Sequence, residues 1–309
     1  MTLLRPYHCA LRLANSVPRS PARPFTSSIP RAMKVFPVPV REDNYAYLLI
    51  DDATNEAAAI DPYDVPKVKA AADQLGVKII AAITTHHHFD HSGGNKDFAE
   101  TYPGAPIYGG SQQILALTNQ VKDKSEFTVG KDIHVKCLAT PCHTQDSICY
   151  HVTDKAEPSQ AGGVFTGDTL FIAGCGRFFE GTGEEMDAAL SYLGTLPNDT
   201  LVYNGHEYTA SSLKFALSVD PTNAGLARLS KIVAENKVTT GLSTIRDEKE
   251  WNPFARLTSS PVLYGLLPLP QTSCIDQHLI PRQATGTNPD TPKSAIMDKL
   301  RELKNNFKG

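Results

Sequence analysis

From Met33 onward, short apolar runs alternate with stretches whose apolar residues recur every three or four positions, the pattern of strands interleaved with helices. Tyr45, Tyr47 and Leu49 alternate with residues that point the other way. A second apolar run covers 57–60 and closes at the turn Asp61-Pro62, so two neighbouring strands are expected. Val68, Ala71, Ala72 and Leu75 fall at helical spacing, which predicts a helix over 65–75 that stops at Gly76, where a left-handed cap costs least. A buried strand over 79–84 follows, with further strand-like runs at 135–140, around Val164 and at 201–203. Helices are expected over 211–219 and 223–236, parted by Asp220-Pro221. The last helix carries an apolar seam of Ile296, Leu300, Leu303 and Phe307, with Arg301 and Lys304 on another face and Thr291-Pro292 as its cap.

The first 32 residues break this pattern. Arg5, Arg12, Arg19, Arg23 and Arg31 are interleaved with serines, and no acidic residue precedes Glu42, which reads as a mitochondrial transit peptide leading to the matrix. A disordered basic tail is the alternative, because Pro18, Pro21 and Pro24 interrupt any long amphipathic helix. Initiation at Met33 would give the same body as a cytoplasmic form. A net charge of -3 over 309 residues offers no global field for a polyanion, so a nucleic-acid partner is not expected. No apolar run approaches the roughly 18 residues of a membrane span, and the six cysteines, with no C-x-x-C pair and no framework spacing, read as reduced thiols.

Candidate chemistry is concentrated where strands end. The run Thr85-His86-His87-His88-Phe89-Asp90-His91-Ser92-Gly93-Gly94-Asn95 follows a strand and opens a glycine-rich helix start. Alternate residues of an extended stretch share a side, so His86 and His88 can grip one ion, while Asp90 and His91, past the turn, can face another. Such a mixed nitrogen and oxygen set does not by itself name the metal. Three more strand ends deliver His143 in Thr140-Pro141-Cys142-His143-Thr144, Asp168 in Phe165-Thr166-Gly167-Asp168, and His206 in Asn204-Gly205-His206-Glu207.

These four motifs in this order resemble the metallo-β-lactamase superfamily. The resemblance implies that His86, His88 and His143 hold one divalent ion, that Asp90, His91 and His206 hold a second, and that Asp168 bridges them. Zinc is the expected metal, with iron or manganese as alternatives. It implies an α+β fold, an αββα sandwich over 33–206 and a smaller helical domain over 207–309, with the substrate between them. Two cations roughly 3.5–4 Å apart lower the pKa of a shared water until hydroxide exists at neutral pH, and Asp90 would orient it.

Residues 85–95, 137–144, 165–182, 205–209 and 252–254 are similar more narrowly to the glyoxalase II family, the hydroxyacylglutathione hydrolases. That likeness implies hydrolysis of S-D-lactoylglutathione to D-lactate and glutathione, the second step of methylglyoxal detoxification, by a monomer. Glutathione carries two carboxylates, and the same resemblance gives Arg177, Phe178, Phe179, Tyr208, Arg301 and Lys304 as substrate-binding residues. Arg177 stands where a lysine is usual, Phe179 where a tyrosine is common, and Asp146 where the family tends to glycine. Residues 258–290 show neither periodicity nor likeness and read as an insert that could misplace the final helix. The nearest rival within the superfamily is a persulfide dioxygenase with one iron; a metal-stabilised scaffold and a nuclease are further alternatives.

Overall fold

The computed structural model describes residues 33–259, Val262 and residues 291–308. The leader expected over 1–32 lies outside the described residues, as does nearly all of the insert expected over 258–290.

Alternation along the strands builds two cores at once. Every residue of β2 (Tyr45–Asp51) is buried, because Tyr45, Tyr47 and Leu49 enter one hydrophobic cluster while Ala46, Leu48 and Ile50 enter another on the opposite face. β1 (Met33–Pro39) and β3 (Glu56–Ile60) pair antiparallel with β2. β4 (Lys78–Ile83), β5 (Ile107–Gly109) and β6 (Asn119–Gln120) extend the sheet in parallel. The second sheet runs in the order β13 (Leu201–Asn204), β10 (Gly163–Gly167), β9 (Ile148–Asp154), β8 (Ile133–Ala139), β7 (Glu126–Val129).

Tyr47, Leu49 and Ile83 from the first sheet meet Val135, Tyr150 and Phe165 from the second in the layer between them. Full burial of each such side chain stabilises by about 1.5–3 kcal/mol. Helices α1 (Val65–Leu75) and α3 (Asn95–Thr101) contribute Val65, Val68 and Phe98 to the outer face of the first sheet. The outer face of the second, with Leu138 and Val164, packs on Met186 of α4 (Gly183–Leu193), Phe215 of α5 (Thr209–Val219) and Met297 of α8 (Lys293–Asn306). Helix, sheet, sheet and helix form the expected sandwich. α6 (Ala224–Glu235), α7 (Ile245–Trp251) and one 3-10 turn (Pro253–Ala255) complete the helical part.

Local signals explain most boundaries. α1 is capped by Asp64, whose side chain accepts from Lys67 N, and ends at Gly76 with φ 69°. Asn223 caps α6 by accepting from Gly225 N and Leu226 N. The start of α8 departs from the expected cap. Pro292 has φ -58° and ψ 143°, so it is itself the last extended residue and the helix opens at Lys293 rather than at the proline. Ile296 and Leu300 are buried as the seam requires, and Arg301, on another face of the helix, is also buried, at 8% exposure. Among the described residues no helix is long and apolar enough to cross a membrane, and Cys137, Cys142, Cys149 and Cys175 are free and buried.

Strand direction decides where the chemistry collects. β10 and β13 are parallel, and β9 is antiparallel to both β10 and β8, so β8, β10 and β13 all end at one edge of their sheet. The segment leaving β4 joins the same edge through Ile148 N, which donates to Thr85 O at 2.9 Å.

Candidate metal centre

The four strand ends bring all seven expected ligands together. His88 closes an extended step and α2 (Phe89–Ser92) starts directly after it, which turns Asp90 and His91 away from His86 and His88. His143 follows β8, Asp168 follows β10 and His206 follows β13. His86 Nε2 lies 3.1 Å from His88 Nδ1, which lies 3.0 Å from His143 Nε2. On the other side His91 Nε2 is 3.3 Å from His206 Nε2, which is 3.6 Å from Asp90 Oδ2. Asp168 stands between the groups, Oδ1 at 3.3 Å from His91 Nε2 and Oδ2 at 3.4 Å from His143 Nε2 and 3.3 Å from His206 Nε2. Within each of the sets His86–His88–His143, His86–His91–Asp168 and Asp90–His91–His206, the candidate ligand atoms lie within 4.8 Å of one another.

Outward hydrogen bonds fix which ring nitrogen faces inward. His91 Nδ1 donates to Asp61 Oδ2 at 2.9 Å, His206 Nδ1 to Asp43 Oδ1 at 3.0 Å, and His143 Nδ1 to Arg177 O at 2.9 Å. None of these partners can donate, so the Nδ1 proton is on the histidine and the Nε2 lone pair points to the centre. His86 follows by relay: Thr85 Oγ1 donates to Asp61 Oδ2 at 2.7 Å and is left to accept from His86 Nδ1 at 3.0 Å. His88 alone turns Nδ1 inward.

This donor set fits divalent ions. Lone pairs converging at such separations repel unless a cation lies among them, and buried Asp168 Oδ1 accepts no hydrogen bond. Burial pushes His86 and His143 below the usual imidazole range, which keeps them neutral. Burial opposes charge on Asp168 and His91 as well, but their mutual attraction outweighs it. Asp168 is held well below the carboxylate range and His91 is raised. With Asp90 and Asp168 both ionised, the cluster carries negative charge that cations at its centre would balance.

Aromatic and cationic side chains line the rim. The Tyr208 ring stacks on His206 with centroids 4.8 Å apart, and Phe179, 60% exposed, sets its ring 5.2 Å from His143 and 5.7 Å from His88. Phe178 instead packs on the core cluster below. Exposed Arg177 lies near enough for its charge to act on both Tyr208 and Arg301. Arg301 Nη1 donates to Cys175 O at 2.9 Å, and Lys304 Nζ donates to Ser211 O at 2.8 Å, its pKa lowered to about 8 by burial and by Arg301. The final helix is therefore seated beside the centre.

Comparison with known proteins decides the family. Residues 43–206 match the family model "Metallo-beta-lactamase superfamily", and residues 207–307 match "Hydroxyacylglutathione hydrolase C-terminus". A cytoplasmic hydroxyacylglutathione hydrolase of Arabidopsis thaliana is 45% identical over 73% of this chain and 88% of its own. A probable hydroxyacylglutathione hydrolase of Schizosaccharomyces pombe is 40% identical over 85% and 93%. The chain belongs to the hydroxyacylglutathione hydrolase family. Among solved structures, ETHE1 from Myxococcus xanthus is similar at 29% identity and a TM-score of 0.55, covering 72% of this chain and 84% of that one.

For this family member, sequence reasoning missed the outer partners of the ligands. Asp61 appeared as a turn residue, yet it takes Thr85 N, Thr85 Oγ1 and His91 Nδ1. Asp43 and Asn44 carried no signal beyond lying just before β2; Asn44 Nδ2 donates to Asp90 Oδ2 at 3.2 Å. Asp146, unexplained in the sequence, is buried and accepts from His87 Nδ1, Thr144 Oγ1 and Ser111 Oγ, which ties the first ligand loop to the His143 loop.

Proposed function

We propose that this chain hydrolyses the thioester of S-2-hydroxyacylglutathiones such as S-D-lactoylglutathione, releasing the hydroxy acid and glutathione, and that the seven ligands hold two divalent ions, zinc first among the candidates. The observation that carries it is the placement of a convergent nitrogen and oxygen cluster beside the cationic corner of Arg177, Arg301 and Lys304. Bound ions supply Lewis acidity, which lowers the pKa of a coordinated water and polarises the thioester carbonyl. His86, His88 and His143 form one ligand group and Asp90, His91 and His206 the other, with Asp168 shared. Asp90, anchored by Asn44, orients the attacking water. The three cations receive the glutathione carboxylates, and Tyr208, stacked on His206, offers its hydroxyl to the peptide part of the substrate. The departing thiolate, conjugate base of a thiol with a pKa of about 8.5, is a good leaving group, so no strong acid need protonate it as it departs. The body over 33–206 supplies the ions' ligands and the part over 207–309 the C-terminal cations.

The test is thiol release from S-D-lactoylglutathione alongside oxygen uptake and metal content on one preparation. The expected result is thiol release without oxygen uptake, lost after chelation and restored by zinc, with about two ions per chain. Oxygen consumption with one iron would instead favour a dioxygenase, and metal binding without turnover a scaffold. Phe179→Tyr is expected to lower KM by up to about tenfold, the effect of regaining one hydrogen bond worth roughly 0.5–1.5 kcal/mol. An unchanged KM would show that this ring does not meet the substrate.

A further inference from the structure

Six residues, Leu170 to Cys175, form a small hairpin between Asp168 and Arg177, with β11 (Leu170–Phe171) and β12 (Gly174–Cys175) paired over only two residues each. Its backbone is satisfied largely from the helical part of the chain. Asn252 Nδ2 donates to Gly174 O at 3.0 Å and to Phe171 O at 3.3 Å, and Ala173 N donates to Glu248 Oε2 at 2.9 Å. Asn252 Nδ2 also donates to Glu248 Oε2 at 3.0 Å, which joins the two side chains into one clamp. Ala173 is held at φ 56°, a left-handed conformation that a non-glycine residue adopts only where its surroundings impose it.

The other carboxylate oxygen, Glu248 Oε1, accepts from Ser243 Oγ at 2.7 Å and Trp251 Nε1 at 3.0 Å. Glu248 is 2% exposed and Asn252 is fully buried. Among the described residues no cation pairs with this buried carboxylate, a costly arrangement, and its pKa is pushed up to about 7 by burial despite the donors around it. Its hairpin side leads straight to the centre. The Phe171 ring lies against Tyr208 at 5.2 Å and His206 at 6.1 Å, and Cys175 O is the acceptor that seats Arg301.

We propose that Glu248 and Asn252 are positioning residues that fix this hairpin from the helical part and thereby set Arg177 and Arg301 for glutathione. The inference rests on the reading of those two cations as glutathione partners. Two sets of variants separate it from a purely structural role. Asn252→Ala and Glu248→Ala remove bonds on the hairpin side, whereas Ser243→Ala removes one donor from the far oxygen and leaves every hairpin bond in place.

The measurements are melting temperature, metal content, glutathione affinity by calorimetry, and KM and kcat for S-D-lactoylglutathione. All three variants are expected to melt lower than the parent. Asn252→Ala and Glu248→Ala are expected to weaken glutathione binding and raise KM by about tenfold, the scale of one charge-assisted hydrogen bond, while Ser243→Ala keeps both within about twofold. If Asn252→Ala does not fold, Glu248→Ala carries the comparison. Parent-like glutathione affinity in the hairpin-side variants, or an equal loss in Ser243→Ala, would overturn the proposal. A parent enzyme that neither binds glutathione nor cleaves the thioester would instead overturn the reading on which it rests.

Discussion

Replacing Asp168 with alanine is expected to remove activity and metal together. Among the described residues this carboxylate alone approaches His91, His143 and His206, at 3.3 to 3.4 Å, and so touches both ligand groups. Alanine leaves the imidazole lone pairs converging with Asp90 as the one anion remaining among the seven candidate ligands. The expected loss in turnover exceeds the roughly 10–100-fold that accompanies loss of an outer partner, and metal content falls from about two ions per chain to about one or fewer. Turnover and metal analysis on one preparation check it, with circular dichroism to show that the sandwich persists. Full activity with full metal content in Asp168→Ala would mean that the bridging role belongs elsewhere.

The convergence of the candidate ligands was legible because their chemistry is written locally. His86, His88, Asp90 and His91 sit within six residues, and a strand that runs into glycines states where they point. The core was legible for a similar reason, since the two faces of β2 follow from alternation alone. What escaped depends on contacts with no local pattern. Asp43 reaches His206 across 163 positions and Asp61 reaches His91 across 30, and nothing in Arg-Glu-Asp-Asn at 41–44 or in Asp-Pro at 61–62 marks either as an acceptor for an imidazole. Glu248 is a sharper case. It lies within Arg246-Asp247-Glu248-Lys249-Glu250, a run with the composition of a solvated helix face, yet the chain folds this one carboxyl inward. Helical phase placed Arg301 outside the apolar seam but could not show that the carbonyl of Cys175 and the ring of Phe254 draw it in.

The second large effect is expected from Asp61→Asn, which keeps shape but changes what His91 can donate to. Asp61 Oδ2 is the acceptor that holds the proton on His91 Nδ1, and the same carboxylate takes Thr85 N at 2.7 Å and, through Thr85 Oγ1, sets His86. An amide cannot accept at both positions. Thr85 N can only donate, so the amide oxygen stays toward it and the amide nitrogen takes the Oδ2 position, facing His91 Nδ1 and Thr85 Oγ1; His91 is then freed to carry its proton on Nε2, where a ligand must be unprotonated. Two ligands in different groups, His86 and His91, depend on this one side chain, so the substitution should weaken metal binding by about 10–100-fold and lower turnover at limiting metal while excess zinc restores it. Competition with a chromogenic chelator measures the affinity directly. An affinity equal to the parent's would show that the histidines hold their tautomers without Asp61, and that the preorganisation of the centre comes from the packing of the strand ends instead.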